Sequence, residues 1–243
     1  ISGDFGPTLL AWMERVHPGV YDSIISADSQ AQDRFSGHGS AIAHPYHHVI
    51  LPLLPREDKE TEIRWGIRDF EDRFGRYPEG MWLPEMAVDQ ETLTVLADHG
   101  IAYTVLSPNQ GCQPPQEVDE RPVPGRGIDT SAPYFCSLPG GGDIAIFFHD
   151  ASIGLQVAFG DLLENGDRFA DRLLSASPLG GLVHFATDGE TFGHHHRFGE
   201  MALAWCLDRI DTSAPETLTV YGEYLAGYPP KREAEIISRT SWS

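Results

Sequence analysis

The chain has 243 residues, of which 41% are hydrophobic, and this is enough for one large domain with a buried core. Its formal net charge of −19 at pH 7 repels phosphate backbones, which argues against nucleic-acid binding and suits a neutral substrate. No stretch approaches the roughly 20 continuous apolar residues of a membrane span, and no charged start followed by an apolar run marks a signal peptide, so we predict a cytoplasmic protein without membrane attachment.

Helix-like and strand-like segments alternate along the chain, which is the pattern of a parallel α/β sheet or barrel. The predicted helices are 7–28, 57–74, one between Asp89 and Gly100, 161–175 and 199–210. The predicted strands are 39–44, 80–84, 103–107, 144–148, 182–186 and 217–221. Gly75 is expected to end the second helix in a left-handed conformation, and Asp89 is expected to cap the third. The last helix is apolar on most sides, so we expect it to be well buried.

Residues 108–142 are rich in proline and glycine and have little periodicity. A loop of that length within a compact domain is usually a lid or a binding segment. We therefore predict a single domain over residues 1–243, from which residues 108–142 project as a loop.

Polar residues that can take part in catalysis follow the C-terminal ends of several predicted strands. They are the residues from His44 to His48, Glu85, His149 with Asp150, and Asp188 with Glu190. Active sites of α/β barrels form at the face where the strands end. We therefore expect these side chains to belong to one site.

Glu85 and Asp188 are suited to hydrolysis of a glycosidic bond. In retaining enzymes two carboxyl groups lie about 5–5.5 Å apart; one attacks the sugar and the other protonates the leaving group. The nucleophile must be ionised, whereas the acid must hold its proton, which requires burial or a nearby negative charge. Histidines can donate hydrogen bonds to sugar hydroxyls, and Trp82, Tyr46 and Phe192 can offer apolar faces to sugar rings.

Structural roles explain the same residues equally well. Glu85 could be a carboxylate at a helix N-terminus, and Asp188 could be a turn residue before Gly189. His44, His47 and His48 could be hydrogen-bonded core residues. Trp65, Trp205 and Phe70 are interpreted as core residues.

A metal-dependent hydrolase, such as a polysaccharide deacetylase, is a different interpretation. Clusters of histidine and aspartate at strand ends also occur in zinc hydrolases. The available ligand types are His44, His48, Asp150, Asp188 and His194. However, no H-E-x-x-H or similarly tight spacing is present.

Two segments resemble glycoside hydrolase family 57, namely Trp82-Leu83-Pro84-Glu85 and the T-D-G-E-T-F-G-H run from Thr187 to His194. The first is similar to the family's nucleophile motif and the second to its acid/base motif, which implies Glu85 as nucleophile and Asp188 as acid/base. The resemblance also implies an incomplete (β/α)7 barrel and a retaining reaction that needs no metal or other cofactor. The implied substrates are α-glucans or maltooligosaccharides, as for the family's α-amylases, 4-α-glucanotransferases and branching enzymes.

Further segments resemble the same family over essentially the whole chain. The Y-H-H-V-I-L-P-L run from Tyr46 is similar to a motif whose histidine faces the substrate, and His48 takes that position. Phe148-His149-Asp150 is similar to the strand after the nucleophile motif, although arginine is more common in place of His149. The likeness is closest to poorly characterised bacterial members, which share the W-G-I-R-D-F-E and F-G-H-H-H-x-F-G-E-M-A segments. The predicted substrate contacts are His48, Trp82, His149, Asp150, Glu190 and His194.

One part of the family pattern is not found in this sequence. The family opens with a strand that carries an H-x-H or H-Q-P motif, and the chain begins at a point that resembles the region after it. We therefore expect a chain truncated at both ends, in which the barrel lacks its first strand. An inactive carbohydrate-binding fragment is accordingly a third interpretation.

Overall fold

The computed structural model describes residues 1–114, 123–176, 181–213 and 217–242. The strands are β1 (Gly3–Asp4), β2 (Ala41–Ile42), β3 (Tyr103–Leu106), β4 (Gly111–Cys112), β5 (Tyr134–Ser137), β6 (Asp143–Phe148), β7 (Arg232–Glu233) and β8 (Glu235–Ile236). The helices are α1 (Pro7–Val16), α2 (Pro18–Arg34), α3 (Arg56–Phe74), α4 (Gln90–Asp98), α5 (Ala151–Phe159), α6 (Gly166–Ala176), α7 (Gly199–Ser213) and α8 (Tyr221–Gly227). They belong to two compact units, of which the first is Ile1–Ile128, Pro133–Phe148 and Thr219–Ser243 and the second is Asp129–Ala132 and His149–Leu218.

A series of parallel extended segments runs through the first unit, in the order of the chain. β1 pairs with β2, and β3 pairs with β6. Between these pairs, the N–H of Ala43 donates to the carbonyl of Gly80 at 3.0 Å, and the N–H of Met81 donates to that of Tyr103 at 3.1 Å. Parallel neighbours joined by intervening helices are the pattern of α/β proteins, so the α/β class is confirmed. A strand, β1, does precede β2, although it is only two residues long.

The segment 108–142 is not a continuous loop, which corrects one expectation. β5 lies antiparallel to β6 and parallel to β7, while β4 lies antiparallel to β8. Along β5, Tyr134 and Cys136 are buried whereas Ser137 is exposed, as expected for a strand with one face on the core. Such short strands between prolines give too little periodicity for the sequence to indicate. Residues 115–122 of this segment lie outside the described residues.

Three predicted strands are wrong. The strand predicted over 80–84 is reduced to isolated bridges at Gly80 and Met81, and 182–186 and 217–221 are not strands either. The backbone of 182–186 makes isolated hydrogen bonds rather than a ladder: Asp150 N–H donates to His184 at 2.9 Å, and Leu182 N–H donates to Ser131 at 2.9 Å. Residues 217–220 have no regular structure, and Tyr221 begins α8. Apolar runs of four or five residues therefore do not distinguish strands from partly buried irregular segments.

The helix predictions are correct where the sequence carries a strong signal for the start or the end of a helix. α3 ends at Gly75, whose φ of 67° is left-handed, and Asp89 caps α4 by accepting the N–H of Thr92 at 2.7 Å. The helix predicted over 7–28 is instead α1 and α2. Pro18 begins the second of them, and His17 before it has a non-helical φ of −136° because proline disfavours the helical conformation of the preceding residue.

The second unit has its own core, formed by α5, α6 and α7. The buried apolar residues are Ile153, Val157, Leu162, Leu163, Phe169, Ala170, Ala202, Cys206 and Ile210. We predicted that α7 would be well buried, and this is wrong. One face of the helix, with Ala202, Cys206 and Ile210, packs on this core, whereas Trp205 is 57% exposed. None of the helices in the described ranges is long and apolar enough to cross a membrane.

Candidate active site

Glu85 lies in a short helical turn, Pro84–Met86, that follows the parallel segment at Gly80 and Met81. Its φ is 56°, and the φ of Met86 is 49°. Both residues therefore adopt the left-handed conformation, which costs about 1–2 kcal/mol for each residue other than glycine. Backbone strain of this kind persists only where neighbouring contacts impose it, and it clusters at functional sites.

The contacts that hold this turn come from residues 239–242 and from Gln110. The N–H of Trp242 donates to the carbonyl of Glu85 at 3.2 Å. The backbone N–H of Val88 donates to the carbonyl of Thr240 at 3.0 Å, and the carbonyl of Val88 accepts the N–H of Arg239 at 2.7 Å. The side-chain amide of Gln110 donates to the carbonyl of Met86 at 2.7 Å. The backbone on both sides of the strained residues is thus fixed by segments far away in the chain.

The carboxylate of Glu85 has hydrogen-bond partners on both oxygens. The indole N–H of Trp242 donates to Oε2 at 3.2 Å, and Nε2 of His48 lies within hydrogen-bond distance of Oε1, at 3.3 Å. The ring of Trp242 also meets that of Trp82 edge-on, with centroids 5.6 Å apart. The side chain of Glu85 is 43% exposed and that of His48 62% exposed. A ligand can therefore reach an oriented carboxylate.

The three histidines from His44 to His48 separate into different roles. His44 is buried, its Nδ1–H donates to the carbonyl of Pro45 at 2.6 Å, and its ring lies 5.5 Å from that of His48. Burial lowers the pKa of His44, so the ring is held neutral. His47 is bound by Glu62 through both its backbone N–H and its Nδ1, each at 2.8 Å. His44 and His47 therefore support the loop, whereas His48 faces Glu85.

Asp188 lies in an exposed turn of the second unit, together with Glu190 and His194. The backbone carbonyl of Asp188 accepts the N–H of Thr191 at 3.1 Å. The carbonyl of Glu190 accepts the N–H of His195 at 2.9 Å. The Asp188 side chain does not cap this turn. The D-G-E-T-F-G-H motif thus forms one compact turn that presents polar side chains to solvent.

His149 and Asp150 lie where α5 begins. His149 is only 4% exposed, and burial lowers its pKa. Oδ1 of Asp150 accepts the N–H of Ile153 at 3.0 Å, so this aspartate caps α5. The N–H of Asp150 donates to His184, in the segment that leads to Asp188. These contacts give Asp150 a structural role that the sequence analysis did not predict.

Trp242 is the site residue that the sequence analysis missed. It lies 157 positions from Glu85, and no local pattern connects the two residues.

The ligand types proposed for a metal site are present, but the described residues contain no group of three or more His, Cys, Asp or Glu side chains that could hold a metal ion.

Comparisons with known proteins place this chain among enzymes of one family. A 4-alpha-glucanotransferase from Thermococcus litoralis is 24% identical over 95% of this chain and 33% of its own length. An alpha-amylase from Pyrococcus horikoshii is 25% identical over 92% of this chain and 33% of its own length. The crystal structure of 4-alpha-glucanotransferase from Thermococcus litoralis superposes with a TM-score of 0.75 at 21% identity, over 98% of this chain and 33% of that chain, which shows a shared fold.

The chain thus spans about a third of the length of these relatives. The family model for glycosyl hydrolase family 57 matches residues 8–236. The resemblance seen in the sequence is therefore confirmed, and the chain belongs to glycosyl hydrolase family 57.

Proposed function

We propose that this chain is the catalytic part of a retaining glycoside hydrolase that acts on α-glucans or maltooligosaccharides. The observation that carries the proposal is the carboxylate of Glu85, which is exposed, bonded on both oxygens and held by a strained turn. Relatives named 4-alpha-glucanotransferase and alpha-amylase support the substrate class. Glu85 is the nucleophile, and Asp188 is the general acid/base.

The reaction is a double displacement. Glu85 attacks the anomeric carbon while the glycosidic C–O bond breaks, and Asp188 gives its proton to the departing oxygen. In the second step Asp188 takes a proton from water or from a sugar hydroxyl, and that oxygen displaces Glu85 from the anomeric carbon. Water gives hydrolysis and a sugar hydroxyl gives glucan transfer, so one pair of carboxyl groups serves both reactions.

The substrate contacts that we assign are His48, Trp82, His149, Asp150, Glu190 and His194. His48 can hydrogen-bond a sugar hydroxyl beside Glu85, and the ring of Trp82 can offer an apolar face. A neutral His149, which its lowered pKa favours, suits a neutral hydroxyl partner. Oδ1 of Asp150 already accepts from Ile153, so we assign its second oxygen to the sugar.

We further propose that residues 1–243 form a single catalytic domain built as an incomplete (β/α)7 barrel. Support comes from the parallel series of segments in the first unit, which follow one another in the order of the chain. Glu85 follows one of these segments, as active-site residues do in barrels. We expect residues 108–142 to control the access of water, and thereby the balance between hydrolysis and transfer. A cytoplasmic location stays a prediction.

The proposal is tested by the release of reducing ends from soluble starch and maltooligosaccharides, with products resolved by size. We expect turnover by the wild type with and without a chelator, and almost none by Glu85→Gln or Asp188→Asn. Glu57→Gln and Asp208→Asn make the same chemical changes at exposed positions and should keep full activity. Products longer than the substrate would indicate transfer.

Several outcomes would contradict the assignment. Near-normal rates for Glu85→Gln would exclude it as nucleophile. Activity that a chelator abolishes and zinc restores would favour a metal-dependent hydrolase. A wild type that binds maltooligosaccharides without turnover would favour an inactive carbohydrate-binding fragment.

A further inference from the structure

An open groove on the first unit contains none of the residues assigned above. Its walls are Arg64, Trp65, Arg68, Glu71, Tyr77 and His99, with Ile67 beneath them. Its volume is 370 Å³, which is within the range of small-ligand clefts. The groove therefore has room for a ligand of one or a few rings.

Helix α3 provides one side of this groove and the end of α4 the other. Arg64, Arg68 and Glu71 are spaced by four and three residues, so they share one face of α3. The hydroxyl of Tyr77 donates to the backbone carbonyl of His99, directly after α4. This hydrogen bond ties the two sides together, so the groove is part of the folded structure.

Two aromatic rings border the groove and are open to solvent. Trp65 is 53% exposed and Tyr77 is 47% exposed, which corrects the interpretation of Trp65 as a core residue. The ring of Trp65 meets that of Tyr46 edge-on, with centroids 5.7 Å apart and planes at 82°. Trp65 is thereby held in one orientation. Fixed, exposed aromatic faces with polar edges are suited to the apolar faces of sugar rings.

The charges around the groove are mixed. Arg68 is paired with Asp72 at 3.0 Å, and Glu71 lies on the same helix face as Arg64. Within the described part of the chain, no protein group is hydrogen-bonded to the guanidinium of Arg64, the indole N–H of Trp65 or the ring nitrogens of His99. A neutral ligand rich in hydroxyl oxygens satisfies these groups, whereas the nearby carboxylates oppose an anion.

The groove is also linked to the loop that carries His48. Tyr46, which contacts Trp65, lies in this loop, and His48 contacts Glu85. Gly66, next to Trp65, lets α3 pack directly on the loop, because a Cβ there would collide with the backbone oxygen of His44. One loop therefore contacts both the groove and the Glu85 site.

We propose that this groove is a non-catalytic binding site for an α-glucan chain. Sugar rings stack on Trp65 and Tyr77, and Arg64 and His99 bond their hydroxyls. The inference rests on the proposed function, because the same polymer is the substrate of the Glu85 site. Binding at a second site raises the effective concentration of a long substrate but does not help a short one.

Binding is measured by the retardation of the protein in native gels that contain glycogen, with Glu85→Gln as the background so that the polymer is not degraded. We expect Trp65→Ala to weaken retardation about three- to tenfold, as for the loss of one aromatic contact, and Trp65→Phe to restore part of it. Arg64→Ala tests the polar side of the groove at an exposed position that makes no ion pair among the described residues. Trp12→Ala, which removes another exposed tryptophan, is the matched control.

In the active protein, Trp65→Ala should raise KM for soluble starch by the same factor, with kcat unchanged and with maltotriose kinetics unaffected. Equal retardation of Trp65→Ala and Trp12→Ala would overturn the groove site even if Glu85 proves to be the nucleophile. Retardation that depends on Trp65 without any turnover would support the groove and contradict the proposed function. Retardation by heparin rather than by glycogen would show an anion site instead.

Discussion

The indole N–H of Trp242 donates a hydrogen bond to Oε2 of Glu85 at 3.2 Å, across 157 positions of the sequence. Trp242→Phe keeps an aromatic ring against Trp82 but removes this donor. A hydrogen bond to a charged group contributes about 1.5–3 kcal/mol, and at 3.2 Å on a half-exposed carboxylate we expect the lower end. The expected result is therefore a fall in kcat of about tenfold, measured on maltooligosaccharides.

The division between kcat and KM tests what Trp242 does. If Trp242 positions Glu85, kcat falls while KM changes little. If KM rises with kcat unchanged, Trp242 binds the sugar and does not position the nucleophile. Trp12→Phe, at an exposed tryptophan of α1, is the control and should change neither constant.

The left-handed backbone at Glu85 predicts an unusual order of stability among inactive variants. Glu85→Gly and Glu85→Ala both lose the carboxylate and its two hydrogen bonds. Only glycine adopts a φ of 56° without strain, so Glu85→Gly should be more stable than Glu85→Ala by about 1–2 kcal/mol. Urea unfolding measures the difference. Equal stability would mean that the turn relaxes once the carboxylate is removed.

Buried His44 predicts a loss of stability in acid. Burial lowers its pKa in the folded chain, so below the usual histidine value of about 6.5 the unfolded chain binds more protons. The free energy of unfolding should therefore fall as the pH decreases below that value, by at most about 1.4 kcal/mol per pH unit for this one group. His44→Gln should show a shallower decrease between pH 7.5 and 5.5 than the wild type.

Exposed His17 supplies the control for this measurement. His17→Gln makes the same substitution at an exposed position, so the difference between the two variants gives the contribution of the buried ring. Burial also lowers the pKa of His149. This residue should therefore account for part of the acid-induced loss of stability that remains in His44→Gln. A slope that is the same in the wild type and in His44→Gln would contradict the assignment.

Replacement of the buried, charged residue Lys59 should greatly reduce the free energy of unfolding. Its side chain is 1% exposed, and Nζ lies 2.9 Å from Asp89 and 2.7 Å from Glu91. Lys59→Met leaves these carboxylates without their partner, and breaking a buried pair in this way costs about 3–5 kcal/mol. Urea unfolding at pH 7 measures the loss. Lys231→Met, at the other lysine and exposed, should change stability by less than about 0.5 kcal/mol.

Acid should reduce the contribution of the Lys59–Asp89 ion pair to the free energy of unfolding. Burial on its own raises the pKa of Asp89, but hydrogen bonds from Thr92 and Lys59 outweigh it and lower the pKa below the usual value. The stabilisation is thus present above that usual value and lost as the pH falls through the lowered pKa. An equal cost of Lys59→Met at pH 7 and pH 3 would show that packing, not charge, explains it.

The parts of the fold that were predicted correctly have strong local signals. The apolar spacing of α3 and the glycine at its end are local, as is the Asp89 cap of α4. The motif that ends in Glu85 is a run of four residues, and the structure places it after a parallel segment. Short-range chemistry determines each of these features, so the sequence indicates them without tertiary information.

The remaining features depend on contacts between distant segments. β1, β2 and β4 are two residues long and have no detectable alternation. Trp65 and Trp205 are more than half exposed although tryptophan is usually interpreted as core. Trp242 enters the site only because residues 239–242 pair with the turn at Glu85. Hydrophobicity and spacing contain none of this information.

That pairing has a consequence for synthesis of the protein on the ribosome. The strained turn at Glu85 is translated long before the residues that impose its conformation, since Trp242 follows 157 positions later. Until residues 239–242 leave the exit tunnel, nothing from that segment holds Glu85 and Met86 in the left-handed region. The nascent chain should therefore fold the helices and parallel strands that precede this segment first, and it should form a competent nucleophile only after residues 239–242 have been synthesised.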